Sequence, residues 1–389
     1  MDREQNGGMA SGRFSRREFT AAFSAAVVSA ACATSGVTAL ADSPGLAHTD
    51  QFARCVGRGI VYLETYGQAQ DGAFAAEAGV GITALVTTAI LRHGRSVRDP
   101  LVAKSLKYLE KSVQPDGGIY SPGGALANYE TCLAIMCLME ANKDKHYSQL
   151  LRGAEAFIRG YQWDETKGKD PADTAYGGAG YGKHKRPDLS NTTFLIDALK
   201  ACGRGEDDPA VKKALIFVSR CQNLESEHNT TAFAAKNPDG GFYYTCAAGG
   251  RSSAGMTAAG GLRSYASMTY SGLKSLVYAG LGPNDPRVRA AIAWIRSNYD
   301  LKSNPGMGDA GLYYYYHTFA KTLNTLAVEQ FKDSTGATHD WRGELVAELA
   351  HCQRSNGSWI NSNNRWMESN PNLATAYTLL ALSHCRPQA

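Results

Sequence analysis

Six threonines, Thr83, Thr131, Thr192, Thr269, Thr318 and Thr375, each open an apolar run of helical character, and they stand 48, 61, 77, 49 and 57 residues apart. A pattern that returns at such intervals marks a repeat with insertions between its units. A second helical stretch precedes each threonine-led run. In Leu101–Leu109 and Val211–Val218 charged and apolar residues alternate at helical spacing, which predicts an outer helix with one wet face. The runs Cys132–Met139 and Leu323–Val328 carry few charges, as a helix buried on most sides requires. Six buried helices inside six amphipathic ones predict an all-α fold, a double-layered (α/α)6 toroid of six helix-pair repeats.

The outer helices are expected at about 52–67, 99–112, 151–161, 209–222, 286–299 and 341–352, each followed by its inner partner. Two long connections interrupt the repeat: 163–187, which contains the glycine-rich Tyr176–Gly182, and 223–265, long enough to cover one mouth of a barrel. Tyr176–Gly182 follows no strand, so the Rossmann and P-loop readings fail on context. Short turns such as Pro238-Asp239-Gly240-Gly241-Phe242 and Asn356-Gly357-Ser358-Trp359 supply positive backbone torsions that let an aromatic fold back on the preceding helix.

Residues 1–41 read as a twin-arginine signal peptide: Arg16-Arg17 precede an Ala-rich, moderately apolar run that ends in Ala39-Leu40-Ala41. The expected destination is the periplasm or another exported location. A lipid anchor at Cys32 is the less favoured variant, because Ser29 fits poorly as a lipobox residue. The rest, 42–389, reads as one toroid domain with no stable membrane span. Of nine cysteines, eight follow the signal, and none has zinc spacing. A net charge of +4, spread along the chain, gives no nucleic-acid footprint. The basic cluster Lys183–Arg186 reads as a solvated loop.

Gln353-Arg354-Ser355-Asn356-Gly357-Ser358-Trp359 resembles the Gln/Trp repeat motif of terpene cyclases, with weaker counterparts at Gln114 and Gln222. Over most of residues 50–385 the chain resembles the squalene cyclase and protein prenyltransferase β-subunit superfamily. Cyclases of this kind carry Asp-x-Asp-Asp-Thr, whose middle aspartate protonates the alkene. The similar stretch here is Asp188-Leu189-Ser190-Asn191-Thr192, with Ser190 in the acid's place. A hydroxyl cannot protonate a carbon–carbon double bond. Prenyltransferases hold zinc with Asp-x-Cys and a histidine before a helix-leading threonine. Ala374 stands in that histidine's place, and no Asp-x-Cys occurs near 265–270, so no metal and no cofactor are expected.

The resemblance implies that the residue before each threonine faces the central cavity: Ile82, Glu130, Asn191, Met268, His317 and Ala374. Glu130, Asp188, Asn191, Met268 and His317 are therefore the expected ligand-binding residues. Glu130, His317 and Tyr316 are the catalytic candidates, with Glu130 across the cavity from His317. For Glu130, Asn191, Asp188 and Ser190 the other reading is helix capping. The expected partner is a small apolar ligand of isoprenoid type. The alternatives are a carbohydrate ligand, handled as in polysaccharide lyases by His317, Tyr316 and Arg263, or a structural module without substrate. An apolar closed cavity would favour the first, an open polar groove the second and a filled barrel the third.

Overall fold

A computed structural model describes residues 44–182 and 186–387. The twin-arginine leader, Cys32 and most of the Lys183–Arg186 cluster lie outside the described residues.

Three of the outer helices begin with the same device. Asp99-Pro100, Asp208-Pro209 and Asp285-Pro286 place a carboxylate at the cap and a proline at the first helical position, and each carboxylate accepts from the amide two residues on, at 3.0, 2.9 and 2.8 Å. The proline gives up only an amide that the first turn leaves unpaired anyway. The outer helices are α1 (Pro44–Tyr62), α3 (Pro100–Lys111), α5 (Ser148–Arg159), α7 (Pro209–Arg220), α10 (Pro286–Ser297) and α12 (Trp341–Cys352). In α3 the predicted amphipathic face is seen directly: Leu101, Val102, Leu106 and Leu109 are buried while Lys104 and Lys107 are exposed.

The inner helices are α2 (Val80–Arg92), α4 (Ala127–Ala141), α6 (Leu189–Ala201), α9 (Ala266–Tyr278), α11 (Leu312–Thr325) and α13 (Pro371–Leu382). All of α2 from Val80 to Ile90 is buried, the mark of a helix enclosed on every side. Each inner helix packs on the next, and α13 packs back on α2, so the inner ring closes; α12 likewise packs on α1. The long 223–265 connection adds only the short α8 (Ala232–Lys236), and a two-stranded ribbon, β1 (Phe331–Lys332) with β2 (Thr338–His339), precedes α12.

The repeated threonine has a mechanical role. Its hydroxyl accepts an amide from the loop that leads into its own helix: Phe74 to Thr83 at 2.9 Å, Ile119 to Thr131, Ala179 to Thr192 and Phe242 to Thr269 at 3.0 Å, and Trp359 to Thr375 at 3.2 Å. The glutamines tie one repeat to the next. The Gln222 side-chain amide donates to Gly240 O at 2.9 Å in its own turn and to Arg287 O at 2.8 Å in the following outer helix. Gln68 and Gln162 do the same towards α3 and α7, and Gln353 closes the ring onto Cys55 O of α1 at 3.0 Å. The turns must be glycine because they press on the next helix. A Cβ on Gly357, whose φ is 91°, would lie 2.4 Å from Arg58 O.

The fifth repeat departs from the expected register. Helix α11 starts at Leu312, so Thr318 lies beyond its first turn, and its hydroxyl donates to Tyr315 O at 3.0 Å within the helix. The threonine's place is taken by Tyr316, whose hydroxyl donates to Leu301 O at 2.7 Å in the loop that leads into α11. Among the described residues no helix is long and apolar enough to cross a membrane, and the eight cysteines are free thiols, most of them buried.

Candidate ligand cavity

Measured from the threonine position, with Tyr316 in that place for the fifth repeat, the residue two steps earlier on every inner helix lines one cavity. These are Gly81, Tyr129, Ser190, Ser267, Tyr314 and Leu373. The cavity lies at the N-terminal end of the inner ring and has a volume of about 290 Å³. Further aromatics complete its wall: Phe194 and Tyr377 from inner helices, Tyr181 from the 163–187 connection, and Tyr244 and Tyr265 from the 223–265 connection. The rings pack on one another, Tyr129 edge-on to Phe194 at 5.2 Å and Tyr314 to Tyr377 at 5.7 Å. Such a wall buries apolar carbon and presents ring faces able to stabilise positive charge. At the mouth stand Trp366 and Met367, 43% and 44% exposed, with φ of 60° and 65°. Two successive non-glycine residues in this region are strained, a cost borne most often at ligand sites.

The expected site residues fall one step off this register. Ile82 and Met268 line the wall, but Glu130, Asn191 and Ala374 do not. Glu130 is turned sideways: its carboxylate accepts from Val80 N at 3.1 Å, at the start of α2, and from Ser121 N at 2.8 Å. Burial raises its pKa against the pull of those two amides. Gly79 leaves the room for this carboxylate, since a Cβ there would lie 1.8 Å from Glu130 Oε1. Asp188 caps α6, accepting from Asn191 N at 2.9 Å and from the Asn191 side-chain amide at 3.0 and 2.9 Å. Burial pushes its pKa up to about 6, opposed by the Asn191 donors. The capping alternative thus describes the contacts of Glu130, Asp188 and Asn191.

His317 is buried outside the cavity wall with its ring stacked on Tyr377 at 5.9 Å. Burial, and then the cations around Lys321, hold its pKa well below the ordinary imidazole value, so it is neutral. Tyr316 is spent on Leu301, and Arg263 Nε donates to Met256 O at 2.9 Å in an exposed loop. None of His317, Tyr316 and Arg263 lines the cavity, and Glu130 and His317 do not face each other across it.

Sequence reasoning passed over Glu368, the carboxylate that does line the wall. It caps α11, accepting from Tyr314 N at 2.8 Å, Tyr313 N at 3.2 Å and the Asn361 side chain at 2.8 Å. Burial raises its pKa as well. Glu130, Asp188 and Glu368 therefore satisfy the N-termini of α2, α6 and α11, in the first, third and fifth repeats. Asn304 Oδ1 does this for α9 by accepting from Ser267 N at 3.1 Å, and Asn370 does it for α13. Helix N-termini would otherwise attract an anion. With their amides and partial charge already matched by protein groups, what faces the interior is mostly ring and methyl surface. The signal for this register was present in the sequence: Ser190, in the acid's place of the cyclase-like stretch, is itself two residues before its threonine.

The comparisons agree with this geometry. Residues 59–248 match the family model described as squalene-hopene cyclase C-terminal domain. No curated protein matches the sequence. Among solved structures, a variant of the type II terpene cyclase MstE from Scytonema, in complex with its substrate geranylgeranyl dihydroxybenzoate, aligns over 88% of this chain and 99% of that one, with a TM-score of 0.53 at 10% identity. The apo MstE structure aligns over 87% and 99%, with a TM-score of 0.54 at 12% identity. At this identity the structural likeness speaks for the fold alone. The matched stretch, the closed inner ring and the Gln353–Trp359 turn together support a squalene-cyclase-like chain.

Proposed function

We propose that the protein binds an apolar, isoprenoid-type ligand in the aromatic cavity and does not cyclise it by protonating an alkene. The observation that carries this reading is the use made of the polar groups at the cavity end: the carboxylates there are engaged by helix amides, which leaves an aromatic interior. Alkene protonation needs an unusually strong, positioned acid. Ser190 occupies that place, and Asp188 and Glu368 are weak acids whose oxygens already accept amide hydrogens. That MstE holds a geranylgeranyl compound in the same fold adds to the reading. A cavity of about 290 Å³ lies near the small end of ligand pockets and suits one short isoprenoid chain. An exported location, from the twin-arginine leader, belongs to the same proposal. The carbohydrate reading loses support because none of His317, Tyr316 and Arg263 lines the cavity, and an unfilled cavity speaks against a purely structural barrel.

The test is mass spectrometry of lipids that co-purify with the protein, wild type against Ser190→Phe, which fills the cavity from its wall, with Glu130→Gln as the control. An isoprenoid retained by wild type and Glu130→Gln but lost in Ser190→Phe is expected. Absence of lipid from all three, together with no uptake of added short polyprenols, would overturn the proposal.

A further inference from the structure

A second cavity, of about 660 Å³, opens at the opposite end of the barrel, where the inner helices terminate. Its wall includes Arg92 at the end of α2, Lys200 near the end of α6, Lys321 of α11, and His384 and Arg386 beyond α13. No Asp or Glu lines it among the described residues. It shares no wall residue with the aromatic cavity.

Cations in the last turn of a helix offset the helix dipole, and that accounts for Arg92 and Lys200 as structural residues. It does not account for the rest. Below the wall, the buried Asp197 carboxylate is shared by two amines, Lys274 and Lys321, each at 2.6 Å; burial pulls the Lys274 pKa down to about 7, so below that pH the cluster carries one positive charge more than its carboxylate matches. Arg92 pairs with Glu140 at 2.6 Å, but no described carboxylate pairs with Lys200 or Arg386, both of which reach solvent. The surrounding groups register the field. His384 and His317 are both held well below the ordinary imidazole pKa, first by burial and then by Lys321, Lys274 and Arg92. The Nε2 atom of His384 is shut off from solvent and has no hydrogen-bond partner among the described residues.

We infer that this basic cavity is a second ligand site, independent of the aromatic one, and that it takes a multiply charged phosphate-type oxyanion. Two cations at the rim without a carboxylate partner among the described residues, Lys200 and Arg386, can close on such a group, while Arg92, paired with Glu140, and Lys321, which shares Asp197 with Lys274, stand deeper. The volume exceeds what a single small anion needs and suits a diphosphate or a phosphate ester. The source of the phosphate is either a free diphosphate compound or a lipid headgroup, and the experiment separates the two.

Isothermal titration of the purified protein with sodium diphosphate at low salt reads the first source. Co-sedimentation with phosphatidylglycerol vesicles against phosphatidylcholine vesicles reads the second. The Lys200→Gln, Arg386→Gln double variant changes only exposed side chains and should fold normally, which circular dichroism checks. Diphosphate binding weakened by roughly tenfold or more in the variant, with no vesicle preference, assigns the site to a soluble phosphate compound. Selective sedimentation with phosphatidylglycerol, lost in the variant, assigns it to a headgroup. No diphosphate binding at millimolar concentration together with no vesicle preference, or binding that the variant leaves unchanged, overturns the inference. Retention of diphosphate binding by Ser190→Phe would show that the two cavities stand or fall separately.

Discussion

Ser190 Oγ and Tyr314 Oη lie 3.1 Å apart, joining the third repeat to the fifth across the wall of the aromatic cavity. Both residues occupy the position two before the helix-anchoring hydroxyl, so the place held by the proton donor in cyclases is here a hydrogen bond between two weak acids. Incubation with a polyprenyl substrate in deuterium oxide should therefore give no carbon-bound deuterium. Incorporation by the wild type, abolished in Ser190→Ala, would show that this position still delivers a proton.

Glu130→Gln tests whether that side chain is a cap or a ligand. Glutamine has one acceptor oxygen for the two amides of Val80 and Ser121, and turns an amino group towards the other. One unmet buried amide should cost about 1–3 kcal/mol, read as a lower urea midpoint at unchanged slope. Ligand content should stay at the wild-type level, whereas a cavity role would show as ligand loss.

Asp188 predicts a signed pH dependence. Its folded pKa is raised to about 6 from 3.8, so the folded state holds a proton that the unfolded state has already released between those values. Stability from this group is present in full below about pH 4, falls as pH rises through about 6, and is flat above. The difference in unfolding free energy between wild type and Asp188→Asn should accordingly shift by about 2 kcal/mol against the wild type between pH 4 and pH 7. Urea unfolding of both proteins at several pH values checks it, and comparing the pair removes the opposing contribution of the buried neutral histidines.

Asp197→Asn leaves Lys274 and Lys321 facing each other in a buried site with no carboxylate. A loss of about 3–5 kcal/mol is expected, since a buried charge without its partner keeps its desolvation cost. Asp197→Leu combined with Lys274→Met should lose less than Asp197→Asn alone, because Lys321, 12% exposed at its side chain, can turn towards the basic cavity. Thermal unfolding of the three proteins decides the order.

The repeat, its helix starts and its turns were legible because they rest on contacts local in sequence. Thr83 reaches Phe74 and Thr375 reaches Trp359; the glycine turns act over a few residues, and the Gln353–Trp359 motif could be read as it stands. The facing of the inner helices was not legible to the same degree. One residue along an α-helix turns a side chain by about 100°, so a single step exchanges Glu130 for Tyr129 at the cavity wall. In the fifth repeat the run of four tyrosines hid a two-residue offset, since Tyr316 does the work of a threonine with a longer reach. The basic end was beyond any local reading, because Arg92, Lys200, Lys321 and Arg386 meet only when four inner helices end at one place. What the sequence by itself determined was the set of local ties that make a ring of helix pairs. What only the tertiary structure decided was which side chains the ring turns inward at each end, because that depends on helix rotation and on residues nearly the whole chain apart.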